Sequence, residues 1–83
     1  MDDLNPQIPL TELKVGEHAH IVSIPSGRMI QQRLVSIGIT PGIEVTMTQN
    51  YHHGPLVVTV RDTRIALGTG EAKRILVRKF SLS

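Results

Sequence analysis

The sequence predicts a mainly β fold: a small, strongly bent barrel of five short strands, with one short α-helix inserted between the first two. Aliphatic and polar residues alternate in several short segments, which is typical of half-buried strands. Glycine and proline separate these segments, and only one segment carries aliphatic residues at helical spacing. A bent barrel buries its aliphatic faces inward and limits open sheet edges. With 83 residues, the chain makes a single domain, predicted over residues 10–80.

Composition restricts how such a barrel is stabilised. The chain has no tryptophan, and Tyr51 and Phe80 are its only aromatic residues, so leucine, isoleucine and valine must form the core. It has no cysteine either, which excludes disulfides and thiolate metal sites. We therefore expect the free energy of folding to come mainly from aliphatic burial.

The N-terminal third is predicted to contain an arm, a turn and the first strand. Pro6 and Pro9 bracket a polar segment, so residues 1–9 are expected to form a flexible arm. Residues 10–13 suit one helical turn before a glycine. Residues 19–24 alternate and end at a Pro-Ser-Gly sequence, which predicts the first strand.

The inserted helix is predicted over about residues 28–37, with Ser26 as its N-cap. Its inward face follows the spacing i, i+4, i+7 and consists of Ile30, Leu34 and Ile37. Gly38 is placed to end the helix, because glycine adopts positive φ without a steric penalty. Pro41 and the glycine after it then predict a tight turn into the next strand.

The second half of the chain is predicted to form further short strands. They are predicted over residues 43–48, 56–60, 65–67 and 75–80. The hairpin through Asp62 and Thr63 lacks the glycine that two-residue turns favour, so its turn type stays open. Residues 68–71 share a fragment of a phosphate-binding loop but lack its lysine, and we interpret them as a helix start capped by Thr69. With no serine nucleophile motif and no complete phosphate loop, the sequence predicts no enzyme.

Charge is unevenly distributed along the chain. Residues 1–27 carry a net charge of −3 and residues 28–83 a net charge of +5. The basic part suits an acidic partner surface, nucleic acid, or simple solvation. The N-terminus lacks the basic and apolar blocks of a signal peptide, and no apolar run approaches the length of about 18 residues that spans a bilayer. These features predict a cytoplasmic protein that reaches the membrane only through a partner.

Several short motifs occur together in this chain, and their order and spacing are specific when they are taken as a set. They are Leu10-x-x-Leu13-x-x-Gly16, Arg33-Leu34-x-x-Ile37-Gly38-Ile39-x-Pro41-Gly42-x-x-Val45, Gly54-Pro55-Leu56, Ile65-Ala66-Leu67 and Glu71-Ala72-x-x-Ile75-x-Val77. By this set the chain resembles the ferrous iron transport protein A family over about residues 10–78. The chain departs from the family pattern at Asp62 and Thr63, where many relatives use glycine.

The resemblance implies an SH3-like barrel with an inserted helix. It also implies a small, non-enzymatic cytoplasmic accessory that binds the cytosolic part of the membrane ferrous iron transporter, ferrous iron transport protein B, and modulates transport. The same domain type forms the C-terminal module of iron-dependent repressors. A transition-metal-binding regulatory module is therefore the alternative function.

A candidate partner-binding surface lies on the inserted helix. Val35 falls roughly opposite the inward face, while Met29, Arg33 and Ser36 lie on a flank. Methionine and arginine are enriched at interfaces, although single exposed aliphatic residues are also ordinary on protein surfaces. Leu34 is expected in the core beneath the helix, where it would control the angle of the docking surface.

Histidines are the candidates for a metal site. They are His18, His20, His52 and His53, with Asp2, Asp3 and Glu17 as conceivable further ligands. A transition metal needs several converging ligands, and neither histidine pair supplies them alone. Family association raises ferrous iron or another transition metal as a ligand, but it identifies no ligating residue. We assign no metal site and no cofactor.

Nucleic-acid binding is the alternative from another class of function. The basic residues that would form its footprint are Arg61, Arg64, Arg74, Arg78 and Lys79. Single-strand binding also needs aromatic platforms on which bases stack, and this chain offers only one tyrosine and one phenylalanine. The sequence therefore predicts no nucleic-acid partner, and self-association through a strand edge stays open.

Overall fold

The computed structural model describes residues 5–51 and 54–82, which form one antiparallel sheet and two short helices. The elements in chain order are β1 (Gln7–Pro9), a 3-10 turn (Leu10–Glu12), β2 (His18–Ser23), α1 (Arg28–Ser36), β3 (Glu44–Gln49), β4 (Leu56–Val60), β5 (Thr63–Leu67), α2 (Thr69–Ala72) and β6 (Leu76–Phe80). The strand order is β1-β6-β2-β3-β4-β5. The predicted mainly β fold is confirmed, and its inserted helix lies between β2 and β3.

The predicted number of strands, five, is wrong, because the described residues form six. Strand β1 pairs with β6, with Gln7 opposite Arg78 and Pro9 opposite Leu76. Residues 7–9 therefore belong to the sheet and not to a loose arm. The two prolines suggested an arm, but an edge strand bonds through only one side of its backbone and tolerates proline. Ile8 adds a reason for pairing, since it packs against the core.

One continuous core lies inside the curved sheet. Its fully or nearly buried residues are Leu10, Leu13, Ala19, Ile21, Leu34, Ile39, Val45, Met47, Leu56, Val58, Val60, Ile65, Leu67, Ala72, Ile75 and Val77. Within the described ranges the two helices contribute only Leu34 and Ala72 to it. Five of the six strands, β2 to β6, contribute buried residues to this core, and a flat sheet could not bury them all on one face, so the sheet must curl. Register shifts in the β2–β6 and β3–β4 pairs contribute to this curvature, because bulges increase local bending.

The inserted helix begins at Arg28 as predicted, but its cap and its end differ from the prediction. Its N-cap residue is Gly27, and the Ser26 side chain accepts no capping hydrogen bond from the first turn. At the other end Ile37 was predicted to face inward, but it retains 39 % of its exposure. The reason is that α1 ends at Ser36, and Ile37 leaves helical geometry with a ψ of 3°. Leu34 alone is fully buried, with Ile30 partly buried beside it.

The β4–β5 hairpin resolves a turn that the sequence left open. Arg61 and Asp62 have φ values of +48° and +67°, so the connection is a two-residue type I′ turn. Its right-handed twist matches the flanking strands, even though both residues carry a side chain. Thr69 is not a helix cap as predicted, since its Oγ1 donates instead to the carbonyl oxygen of Gly54 at 2.6 Å.

Among residues 5–51 and 54–82, no helix combines the length and the hydropathy that spanning a bilayer requires.

Candidate partner-binding surface

The C-terminus of α1 is held by a Schellman motif. The N–H of Gly38 donates to the carbonyl of Val35 at 3.0 Å, and the N–H of Ile39 donates to the carbonyl of Leu34 at 2.8 Å. This geometry requires positive φ at Gly38, which is +98°. Leu34 and Ile39 are both fully buried, and they provide the apolar contact that accompanies such a helix end. The helix end predicted at this glycine is therefore fixed to the core.

An ion pair ties the side of α1 to α2. The guanidinium of Arg33 contacts the carboxylate of Glu71, whose side chain is only 12 % exposed, while that of Arg33 is 61 % exposed. The sequence offered Arg33 as a contact residue for a partner. In the structure its charged end is engaged within the chain. Its effect on a partner would therefore come from orienting α1.

The outward surface of α1, here called the α1 outer face, is mostly polar and carries one cation, Arg28, in its first turn. A shallow depression on it is lined by Arg28, Gln31, Gln32, Val35 and Ser36. Val35 is 52 % exposed, and Met29 on the neighbouring flank is 84 % exposed. Such a face can pack an apolar group onto Val35 while the glutamine amides donate and accept hydrogen bonds.

The five residues predicted for partner binding therefore have different positions. Met29, Val35 and Ser36 are accessible, Leu34 lies beneath the helix, and Arg33 is paired. Sequence reasoning missed Arg28, Gln31 and Gln32. The 100° spacing that placed Val35 outward also places these polar residues beside it, so a full helical projection would have found them.

The two described histidines lie against an aromatic ring on the outer face of β2. His20 stacks on Phe80 with ring centroids 4.4 Å apart, and His18 lies 5.9 Å from the same ring. His18 Nδ1 is also 2.8 Å from Thr46 Oγ1. Each imidazole is therefore packed or hydrogen bonded within the sheet, and the two share a face as their spacing suggests.

Potential metal ligands do not converge in residues 5–51 and 54–82, where no three histidine, aspartate or glutamate side chains could hold one ion. Glu17 Oε1 accepts from the N–H of Lys14 at 2.8 Å, and Lys79 Nζ lies 3.4 Å from Oε2. The Lys14 hydrogen bond, with a smaller effect of Lys79, lowers the pKa of Glu17. The candidates His52, His53, Asp2 and Asp3 lie outside the described residues.

The basic residues of the alternative nucleic-acid footprint are dispersed. Arg78 Nε donates to the carbonyl of Asn5 at 3.0 Å, and Lys79 pairs with Glu17. Strand β6, which carries them, is separated from β5 and its Arg64 by three intervening strands. These side chains do not form one continuous stripe along which a nucleic-acid backbone would run.

Comparisons with known proteins agree with this architecture. A family model of the FeoA domain matches residues 8–79. A relative from Methanocaldococcus jannaschii, named as a Fe(2+) transport protein A, is 36 % identical over 69 residues, covering 83 % of each chain. The crystal structure of an iron uptake regulatory protein (FeoA) superposes with a TM-score of 0.85 at 36 % identity, covering 90 % of this chain and 100 % of that one.

A further crystal structure supports the fold assignment. FeoA from Stenotrophomonas maltophilia, a prokaryotic SH3 domain protein complexed with zinc, superposes with a TM-score of 0.69 at 36 % identity. The match covers 82 % of this chain and 86 % of that one. The SH3-like fold and the family resemblance read from the sequence are both confirmed. The chain belongs to the FeoA domain family.

Proposed function

We propose that this chain is a non-enzymatic cytoplasmic accessory of ferrous iron uptake. It binds the cytosolic part of the membrane ferrous iron transporter, ferrous iron transport protein B, through the α1 outer face, and it modulates transport from the inner side of the membrane. Membership of the FeoA domain family supports this role, as do relatives named for Fe(2+) transport and iron uptake regulation.

The choice of the α1 outer face as the interface rests on Val35, which is half exposed on a helix that three contacts hold in place. Leu34 anchors α1 in the core, the Schellman motif fixes its end, and Arg33 ties its flank to Glu71. A surface that is already ordered loses little conformational entropy on binding. An aliphatic side chain at its centre provides apolar contact area there.

Val35→Asp is expected to weaken binding to the transporter at least about tenfold, because it places a charge at the centre of the interface. The measurement is a titration of this protein onto full-length transporter immobilised in lipid nanodiscs. Val15→Asp is the matched control, since Val15 is a valine of similar exposure, at 59 %, that lies outside α1. The control is expected to bind within about twofold of the native protein.

Two results would contradict different parts of this proposal. If the native protein does not bind the full-length transporter, the partner assignment is wrong. If both valine variants bind like the native protein, or lose binding equally, the α1 outer face is not the interface. Ferrous iron uptake by transporter-containing vesicles, measured with and without this protein, tests the modulation separately.

Arg33→Gln is expected to lower the free energy of unfolding by up to about 1 kcal/mol, since one partner of the Arg33–Glu71 pair is largely exposed. Urea denaturation measures the change, which should shrink at high salt because screening already weakens the native pair. Arg28→Gln is the control on the same helix, and removing a cation from the first turn should be neutral or slightly stabilising. Equal losses from both variants would show that the ion pair does not stabilise α1.

A further inference from the structure

The two edges of the sheet are unequal. Strand β1 has only three residues and ends at Pro9, features that protect an edge from pairing with other chains. Strand β5 has five residues, contains no proline, and pairs with β4 without a register shift. A regular, unprotected edge of this kind is a template for an additional strand.

The free backbone groups of β5 follow from its register. Val60 and Thr63 close the two-residue turn, so Thr63, Ile65 and Leu67 direct their N–H and C=O groups toward β4. Those of Arg64 and Ala66 point away from it. Within the described ranges these four groups have no hydrogen-bond partner. They have the spacing that a further strand requires.

A partly apolar groove lies on the inner side of this edge, beside Thr63 and Ile65. It has a volume of about 310 Å³, and it is lined by four aliphatic residues (Ile37, Ile43, Val60 and Ile65) together with Gly38, Thr40, Arg61 and Thr63. Ile37 is the most exposed of the four aliphatic residues, at 39 %. A strand added to β5 would direct every second side chain toward this groove.

The outer side of the same edge carries one cation of the strand itself, Arg64, which is exposed and lies on the face opposite Ile65. Arg61 is exposed in the adjoining turn beside Asp62, and these two residues line a depression with Glu44. Within the part of the chain described here, neither guanidinium forms an ion pair. The remaining side chains of an added strand would therefore lie beside arginine.

We propose that the β5 edge binds an extended segment of another protein by β-strand addition, and that this segment alternates apolar and acidic residues. The backbone of Arg64 and Ala66 supplies the hydrogen bonds, the groove takes the apolar side chains, and Arg64 takes the acidic ones. This binding uses a surface different from the α1 outer face and does not depend on the proposed transporter contact.

Charge favours such a segment over a second copy of this chain. The free groups permit two β5 strands to pair about a two-fold axis through Ile65, with Arg64 opposite Ala66 of the other copy. That register brings two Arg64 side chains to one face, with Cβ atoms about 8 Å apart and no acidic side chain between them. An acidic segment removes this repulsion and adds an attractive pair.

The test uses two labelled octapeptides, one alternating valine with glutamate and one alternating valine with lysine. Fluorescence anisotropy at low salt is expected to show binding of the glutamate peptide and at least about tenfold weaker binding of the lysine peptide. Ala66→Pro should reduce glutamate-peptide binding at least about tenfold, because it removes an outward N–H that has no hydrogen-bond partner among residues 5–51 and 54–82. Ala66→Thr keeps that N–H and should bind within about twofold of the native protein.

Arg64→Glu provides a second variant that does not depend on proline being tolerated. It should reverse the preference, so that the lysine peptide binds more tightly than the glutamate peptide. Unchanged binding by a folded Ala66→Pro variant, or an unchanged preference in Arg64→Glu, would overturn the proposal. Sedimentation velocity tests whether the edge pairs with a second copy of this chain instead. If the native protein forms dimers, Ala66→Pro abolishes them, and the native protein binds neither peptide, then the β5 edge is a dimer interface and the proposal is overturned.

Discussion

Leu34→Ala is expected to lower the free energy of unfolding by about 2–5 kcal/mol, the largest effect of any substitution proposed for α1. Leu34 is fully buried and is the only residue of the helix, within the described chain, that lies completely in the core. Removing its side chain leaves a cavity that the surrounding strands can fill only in part. A domain of this size has a total stability of about 4–12 kcal/mol, so the loss is a large share. Urea denaturation monitored by circular dichroism measures it.

Ile37→Ala is the matched control for this prediction. The sequence pattern placed Ile37 on the same inward face as Leu34, whereas the structure leaves it 39 % exposed at the end of the helix. Its truncation should therefore cost clearly less, about 1 kcal/mol. Equal losses at the two positions would contradict the observed end of α1.

The same substitution separates positioning from contact in partner binding. Leu34→Ala should weaken transporter binding as well as stability, because it loosens the attachment of α1 without removing an exposed atom. Val35→Asp should weaken binding while changing stability little, because Val35 is half exposed. A Leu34 variant that is destabilised but binds normally would show that the partner does not depend on the angle of α1.

The features that sequence predicted well are those determined by neighbouring residues. The end of α1 at Gly38 needs only a residue that accepts positive φ, and the buried faces of β2 and β4 need only alternation. Both are visible within a few letters of sequence. The family resemblance used the order of such local features, which explains why it was reliable for the fold.

The features that sequence missed depend on partners distant along the chain. Strand β1 exists because Gln7–Pro9 meets β6, about seventy positions away, and no local pattern signals that pairing. Arg33 was assigned to a partner because its contact with Glu71 forms only once the barrel closes. The bare edge of β5 likewise depends on the strand order of the whole sheet. The functional roles of surface residues were therefore harder to infer from the sequence than the helices and strands.

The α1 outer face and the β5 edge meet near one corner of the molecule. Ile37 follows α1 and lines the groove beside β5, and a Cβ atom at Gly38 would lie 4.0 Å from Ile65 Cδ1. The left-handed turn at Gly38 therefore sets the position of both surfaces. A substitution at Gly38 therefore tests whether this left-handed turn has the conformation on which the positions of both surfaces depend.

Gly38→Ala is expected to lower the free energy of unfolding by about 1–2 kcal/mol, because an L-residue is strained in the left-handed region. The φ of Gly38 is +98°, and an added Cβ would meet no atom closer than 4.0 Å. The cost is therefore conformational and does not come from a clash. Thermal and urea denaturation should agree on the loss, and Gly38→Asn should lose less because asparagine tolerates this region better.

Gly70→Ala is the control that separates backbone strain from the added methyl group. Gly70 lies within α2, has no positive φ, and an added Cβ there would meet nothing within 4 Å. Alanine should stabilise this position by about 0.5–1 kcal/mol, since glycine is unfavourable inside a helix. Glycine to alanine is thus expected to lower the free energy of unfolding at residue 38 and to raise it at residue 70, although neither added Cβ atom meets a clash. A stabilising Gly38→Ala would show that α1 does not end in a left-handed turn, and the position of Ile37 beside the β5 groove would then have to be revised.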